Sequence, residues 1–138
     1  MIIDKDYPGL VYNGGWYLLD GDILITESLI IKIPLRISRG IETENLIYAE
    51  KSLQVGGWVY AVGSITVGGC LDVGSWIQAG GYIDVGKSIK VGRSIEADGY
   101  IKAGKSIEAG SYIRAGGLIQ AKGLILAGDV VKPGVKTK

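Results

Sequence analysis

Histidine and phenylalanine are absent from this chain, and cysteine and methionine occur once each. Without histidine it lacks the commonest general base and the commonest metal ligand. No other nucleophile–base pair stands out. The expectation is therefore a protein that is not an enzyme and holds neither cofactor nor metal. A single cysteine, Cys70, excludes an internal disulfide and suits a reducing compartment. No charge sign dominates: the net charge is +1. Nothing here predicts bulk attraction to nucleic acid or to a membrane surface. No apolar run is long enough to span a bilayer. Met1–Tyr7 is acidic and polar, unlike a signal peptide. A cytoplasmic protein is expected.

Glycine, by contrast, is abundant, with 23 residues, and it is periodic. Stepping by six from Leu53 meets Val59, Ile65, Leu71, Ile77, Ile83, Ile89, Ile95, Ile101, Ile107, Ile113, Ile119 and Ile125. Two residues after each stands Val or Ala, and the next is Gly in ten of these thirteen hexads. The glycine slips by one place in Val62-Gly63, Asp98-Gly99 and Lys122-Gly123. In an extended chain alternate side chains share a face, so positions one and three point together and position two points away. A helix at 3.6 residues per turn cannot hold one face with this period. A short strand and a glycine-permitted bend, repeated, make a solenoid, and three such sides close a triangular coil of eighteen residues.

Position two supports eighteen. Read at that spacing it gives Asp72–Lys90–Glu108, Glu96–Arg114 and Asp84–Lys102, every neighbouring pair opposite in sign. The fold expected is all-β: a single-stranded triangular parallel β-helix of a little over six coils. The frame extends back through Ile47, Ile41, Leu35, Leu29 and Ile23 to Tyr17. This divides the chain into an N-terminal cap over 1–16, a solenoid over 17–130 and a short tail over 131–138. Pro8-Gly9 and Asn13-Gly14-Gly15 are turn signals within the cap.

Position six should point outward. Along one edge it reads Trp58, Trp76, Ser94, Tyr112; along the next Ser64, Tyr82, Tyr100, Leu118; along the third Ser52, Cys70, Ser88, Ser106, Leu124. Trp and Tyr are enriched in binding surfaces, so Trp58, Trp76, Tyr82, Tyr100 and Tyr112 are candidates for holding a protein partner. The competing reading is that the rings cover glycine corners and stack on one another. Lys87 and Lys105, stacked one coil apart, add basic side chains near Tyr82 and Tyr100. Aromatics among lysines can hold single-stranded nucleic acid, but Asp84, Glu96 and Glu108 balance them, and nucleic acid is not the expected partner. Cys70, in a serine column, reads as a small wall residue. At the far end, Ile125, Leu126, Val130 and Val131 form a last rung that the short tail can hardly cover, an invitation to dimerise or polymerise end to end.

The hexad resembles that of the left-handed β-helix proteins, whose best-known members are acyltransferases. The match is partial, since here a large Ile precedes the small Val or Ala. The catalytic histidine of those enzymes is missing, so their activity is not implied. The Thr-x-Thr ladders of the insect antifreeze variant are also absent. The chain further resembles the bactofilins, polymer-forming triangular β-helices with Ile/Val/Gly/Ala-rich windings, which implies a self-assembling scaffold. A strict hexapeptide period leans toward left-handed winding, whereas parallel crossovers are generally right-handed. The first functional expectation is a rigid, non-enzymatic rod that binds a protein partner through its aromatic edges. By analogy it resembles phage inhibitors of host machinery such as anti-CRISPR proteins. The alternative is the end-to-end scaffold.

Overall fold

The computed structural model describes residues 1–134. From Ile23 to Ala127 a three-residue strand recurs every six residues, and each pairs in parallel with the strands eighteen residues before and after it, where these exist. Ile65, for example, faces Ile47 on one side and Ile83 on the other. The strands stack into three sheets that form the sides of the prism. The first face runs from Ile2–Ile3 and Leu29–Ile31 to Ile119–Ala121; the second from Trp16–Leu19 to Ile125–Ala127; the third from Ile23–Ile25 to Val131–Lys132. At about 4.8 Å per rung, six coils make a rod roughly 30 Å long.

Alternation places the core. Positions one and three are buried in nearly every hexad while position two is exposed or half-buried. Full burial of one such Ile contributes roughly 1.5–3 kcal/mol. Thr43 is the one buried polar residue among those described. Its hydroxyl donates to the Glu27 carbonyl and accepts from the Asn45 N–H at 3.1 Å, so no buried side-chain polar atom is left unpartnered there.

The repeat glycines serve close stacking rather than an unusual bend. Among the described residues positive φ occurs only at Gly9, Gly14, Gly15 and Gly21, all before the glycine-rich repeat. Within it, a Cβ on Gly80 would lie 2.0 Å from the Val62 carbonyl oxygen, and one on Gly92 would lie 2.1 Å from that of Gly74. Coils approach so closely at the corners that a methyl group has no place.

The ladder of opposite charges is in the register expected, with Asp72 beside Lys90, Lys90 beside Glu108, Asp84 beside Lys102 and Glu96 beside Arg114. Only Glu96–Arg114, at 3.3 Å, closes to a salt bridge among these pairs. Exposed pairs of this kind are worth less than about 1 kcal/mol each, so the ladder fixes register more than it stabilises.

The two ends differ. Ile2–Ile3 adds a parallel strand outside Leu29–Ile31. Val11–Asn13 returns antiparallel along Trp16–Leu19 through Gly14 and Gly15, whose φ of 61° and 90° meet the demand of a type I′ hairpin. Met1, Ile3, Tyr7 and Leu10 pack on the core beneath. At the other end Val131–Lys132 pairs with Ile113–Ala115 and carries the stack two residues beyond Val130.

Candidate functional site

The prism has three edges, each occupied by positions four to six of successive hexads. The tryptophan edge joins the second and third faces. Trp58 and Trp76 stack with ring centroids 6.5 Å apart. The Trp58 ring lies over Gly40, one coil earlier, where a Cβ would come within 2.5 Å of it. Gly40 is buried, and both indoles are half-buried. Ser94 interrupts the column and leaves a shallow groove of about 230 Å³ between Trp76 and Tyr112, floored by Gln78 and Glu96. Tyr112 is half-buried with the Arg114 guanidinium 5.2 Å from its ring centroid, and that guanidinium also bonds Glu96. Each aromatic on this edge has a partner within the rod.

The tyrosine edge joins the third and first faces. Tyr82 and Tyr100 stack at 4.8 Å with an interplanar angle of 2°, the rung spacing itself. The Tyr82 N–H donates to Ser64 Oγ at 3.1 Å, which seats the ladder on a small residue. Tyr100 is 37% exposed. Its phenol is pushed above the usual pKa of 10.0, first by desolvation, then by the Asp84 carboxylate and Tyr82. Beyond it lies a groove of about 240 Å³ lined by Tyr100, Lys102, Leu118 and Gln120.

This edge also carries apolar residues that the sequence reading passed over. Leu46 and Val62 occupy its corner and Tyr48 the adjoining first face, and all three are exposed, Val62 to 50%. Away from the two ends, the exposed large apolar side chains among the described residues are Leu46, Tyr48, Val62 and Tyr100. They lie on one edge and the face beside it. The signals were present: Leu46 stands in the Tyr82 column, and Val62 takes the place of a glycine.

The third edge is small and polar. Cys70 is exposed there, its N–H donating to Ser52 Oγ at 3.0 Å. Lys87 and Lys105 stack along the same edge, the Lys105 N–H donating to the Lys87 carbonyl at 3.1 Å. They sit across the first face from Tyr82 and Tyr100. Lys102, in the middle of that face, is the lysine that reaches the tyrosine edge.

On the last rung Ile125 and Val131 are only half-buried, whereas the earlier position-one residues from Ile23 to Ile119 are buried. Leu124, Leu126 and Val130 are exposed, to 67%, 51% and 52%. Among the described residues no three His, Cys, Asp or Glu side chains converge as a metal would require, and no helix is long and apolar enough to cross a membrane. Comparison with protein-family models, curated proteins and solved structures finds no match for this chain.

Proposed function

We propose that this is a non-enzymatic binding rod that holds a protein partner along its tyrosine edge. The observation that carries this reading is the exposure of Leu46, Val62 and Tyr100 on that edge and of Tyr48 on the face beside it, while Trp58, Trp76 and Tyr112 are spent on contacts within the rod. From Leu46 to Leu118 the edge spans four rung spacings, about 19 Å. With its flanking faces it can supply the roughly 800 Å² per partner of a standard interface. The partner this surface fits presents an apolar ridge or groove bordered by polar groups, since Glu44, Asp84, Asp98 and Lys102 flank these side chains. Parallel stacked tyrosines are rigid and cost little ordering entropy on binding. The test is co-purification of a partner by the wild type and by two variants. Leu46→Glu with Val62→Glu should abolish recovery, and Trp58→Ala should leave it intact. Recovery lost with Trp58→Ala and kept with the double variant would reverse the assignment of the edges.

A second reading, end-to-end self-association, is favoured by the last rung. There three strands have no outer partner among the described residues and apolar side chains stand exposed.

A further inference from the structure

We infer that the gap at Ser94 on the tryptophan edge is a stacking slot for one base, that of a guanine nucleotide. This site is separate from the tyrosine edge and does not depend on a protein partner there. Trp76, Ser94 and Tyr112 occupy position six of three successive coils. The Ile77 N–H donates to the Ser94 carbonyl and the Ile95 N–H to the Tyr112 carbonyl, both at 3.0 Å, which keeps the column in register. Trp76 and Tyr112 therefore stand two rungs apart, about 9.6 Å. Between them Ser94 brings no ring.

The neighbouring edge shows how a filled column looks. Tyr82 and Tyr100, one rung apart, stack at 4.8 Å with an interplanar angle of 2°. A planar ring at the level of Ser94 lies about one rung from Trp76 and one from Tyr112, within the range where aromatic pairs attract. Trp58 stacks on the other side of Trp76, at 6.5 Å and 25°. The side toward Ser94 meets no ring among the described residues, and the groove of about 230 Å³ lies there.

Polar groups choose the ring. Gln78 and Glu96, on the adjoining third face, border the groove beside Ser94. Arg114 holds Glu96 through Oε2 at 3.3 Å and sits 5.2 Å from the Tyr112 ring centroid, so this wall is set before a ligand arrives. Glu96 Oε1 accepts no hydrogen bond from a described residue. A carboxylate only accepts, and it is answered best by two N–H donors side by side. Guanine has that edge, its ring N–H next to its exocyclic amino group; adenine sets one donor beside an acceptor. Arg93 precedes Ser94 at the same corner, is exposed, and forms no ion pair with a described residue. It is placed to meet a phosphate carried on the ribose. Because Trp58 closes the column beyond Trp76, there is room for one base, and the ligand is a single nucleotide rather than a strand.

Equilibrium dialysis of the full chain against guanosine monophosphate tests this. The wild type should bind one equivalent, and adenosine monophosphate about tenfold more weakly. Trp76→Ala should weaken binding at least about tenfold. Ser94→Tyr supplies the ring the column lacks; it should fold like the wild type by circular dichroism and lose the binding. Arg93→Ala should weaken guanosine monophosphate and leave guanosine unchanged. A wild type that takes up no guanosine monophosphate, or a Ser94→Tyr protein that binds it as the wild type does, would overturn the slot. Equal binding of the two nucleotides would overturn the role of Glu96. A short single strand that binds tenfold more tightly than the nucleotide would overturn the single nucleotide as the ligand.

Discussion

The tryptophan and tyrosine edges use the same hexad position and end differently. On the first, a missing Cβ at Gly40 opens a seat, and Trp58 sinks into it. On the second, Ser64 stands one coil before Tyr82, and the two tyrosines stack beyond it on the rung spacing. One edge therefore uses aromatic surface to close the fold, and the other leaves it available. A repeat fixes where side chains point, and the small residues one coil away decide how far they project.

Substitution at the corner glycines should separate the edges most sharply. Gly80, on the tyrosine edge, would bring a methyl group against the Val62 backbone carbonyl, which cannot give way without parting two coils. Gly80→Ala is expected to cost about 3 kcal/mol by urea denaturation. At Gly40 the atoms nearest the methyl belong to the Trp58 ring, which can turn aside, so Gly40→Ala should cost about 1 kcal/mol and shift the tryptophan emission to the red. Equal losses at the two sites would mean that Trp58 is as immovable as backbone.

Removal of the rings themselves should rank the same way at smaller size. Trp58→Ala uncovers Gly40 and should destabilise by about 2 kcal/mol, whereas Tyr100→Ala should cost under about 1 kcal/mol. Leu46→Glu with Val62→Glu should be close to neutral, since both side chains are exposed. A large loss of stability in that double variant would show the tyrosine edge to be part of the fold and not free for a partner.

Least in magnitude is the effect of pH. The raised pKa of Tyr100 means that the folded state holds this proton more tightly than the unfolded chain. Its contribution is complete below about pH 10 and is lost as pH rises through the higher folded value. Wild-type and Tyr100→Phe proteins, titrated by absorbance at 295 nm, should differ by a component that ionises above pH 10. Stability of the wild type should decline more steeply there than that of Tyr100→Phe. A difference component centred below pH 10 would contradict the desolvated placement of Tyr100.

The architecture was legible because it depends on the inward Ile and Val/Ala alone, and their spacing survives from Ile23 to Ile125 without insertion. The charge pairs gave the coil length for the same reason. The role of the glycines was not legible, since sequence shows where Gly recurs but not that the carbonyl one coil below stands 2.0 Å from a would-be Cβ. Ile2–Ile3 escaped because Ile3 precedes Ile31 in its column by 28 residues, the hairpin being looped out between them. The candidate edge was half visible. Tyr82 and Tyr100 stand in the regular column, but Leu46 lies in hexads without glycine and Val62 in a slipped one, where a consensus gives no warning.

The most direct test of the binding edge is photocrosslinking in cell extract from a benzophenone amino acid placed in turn at 62, 100, 58 and 76. Positions 62 and 100 should yield one adduct with the same heterologous protein, and positions 58 and 76 none. Adducts from 58 and 76 with none from 62 and 100 would contradict the assignment.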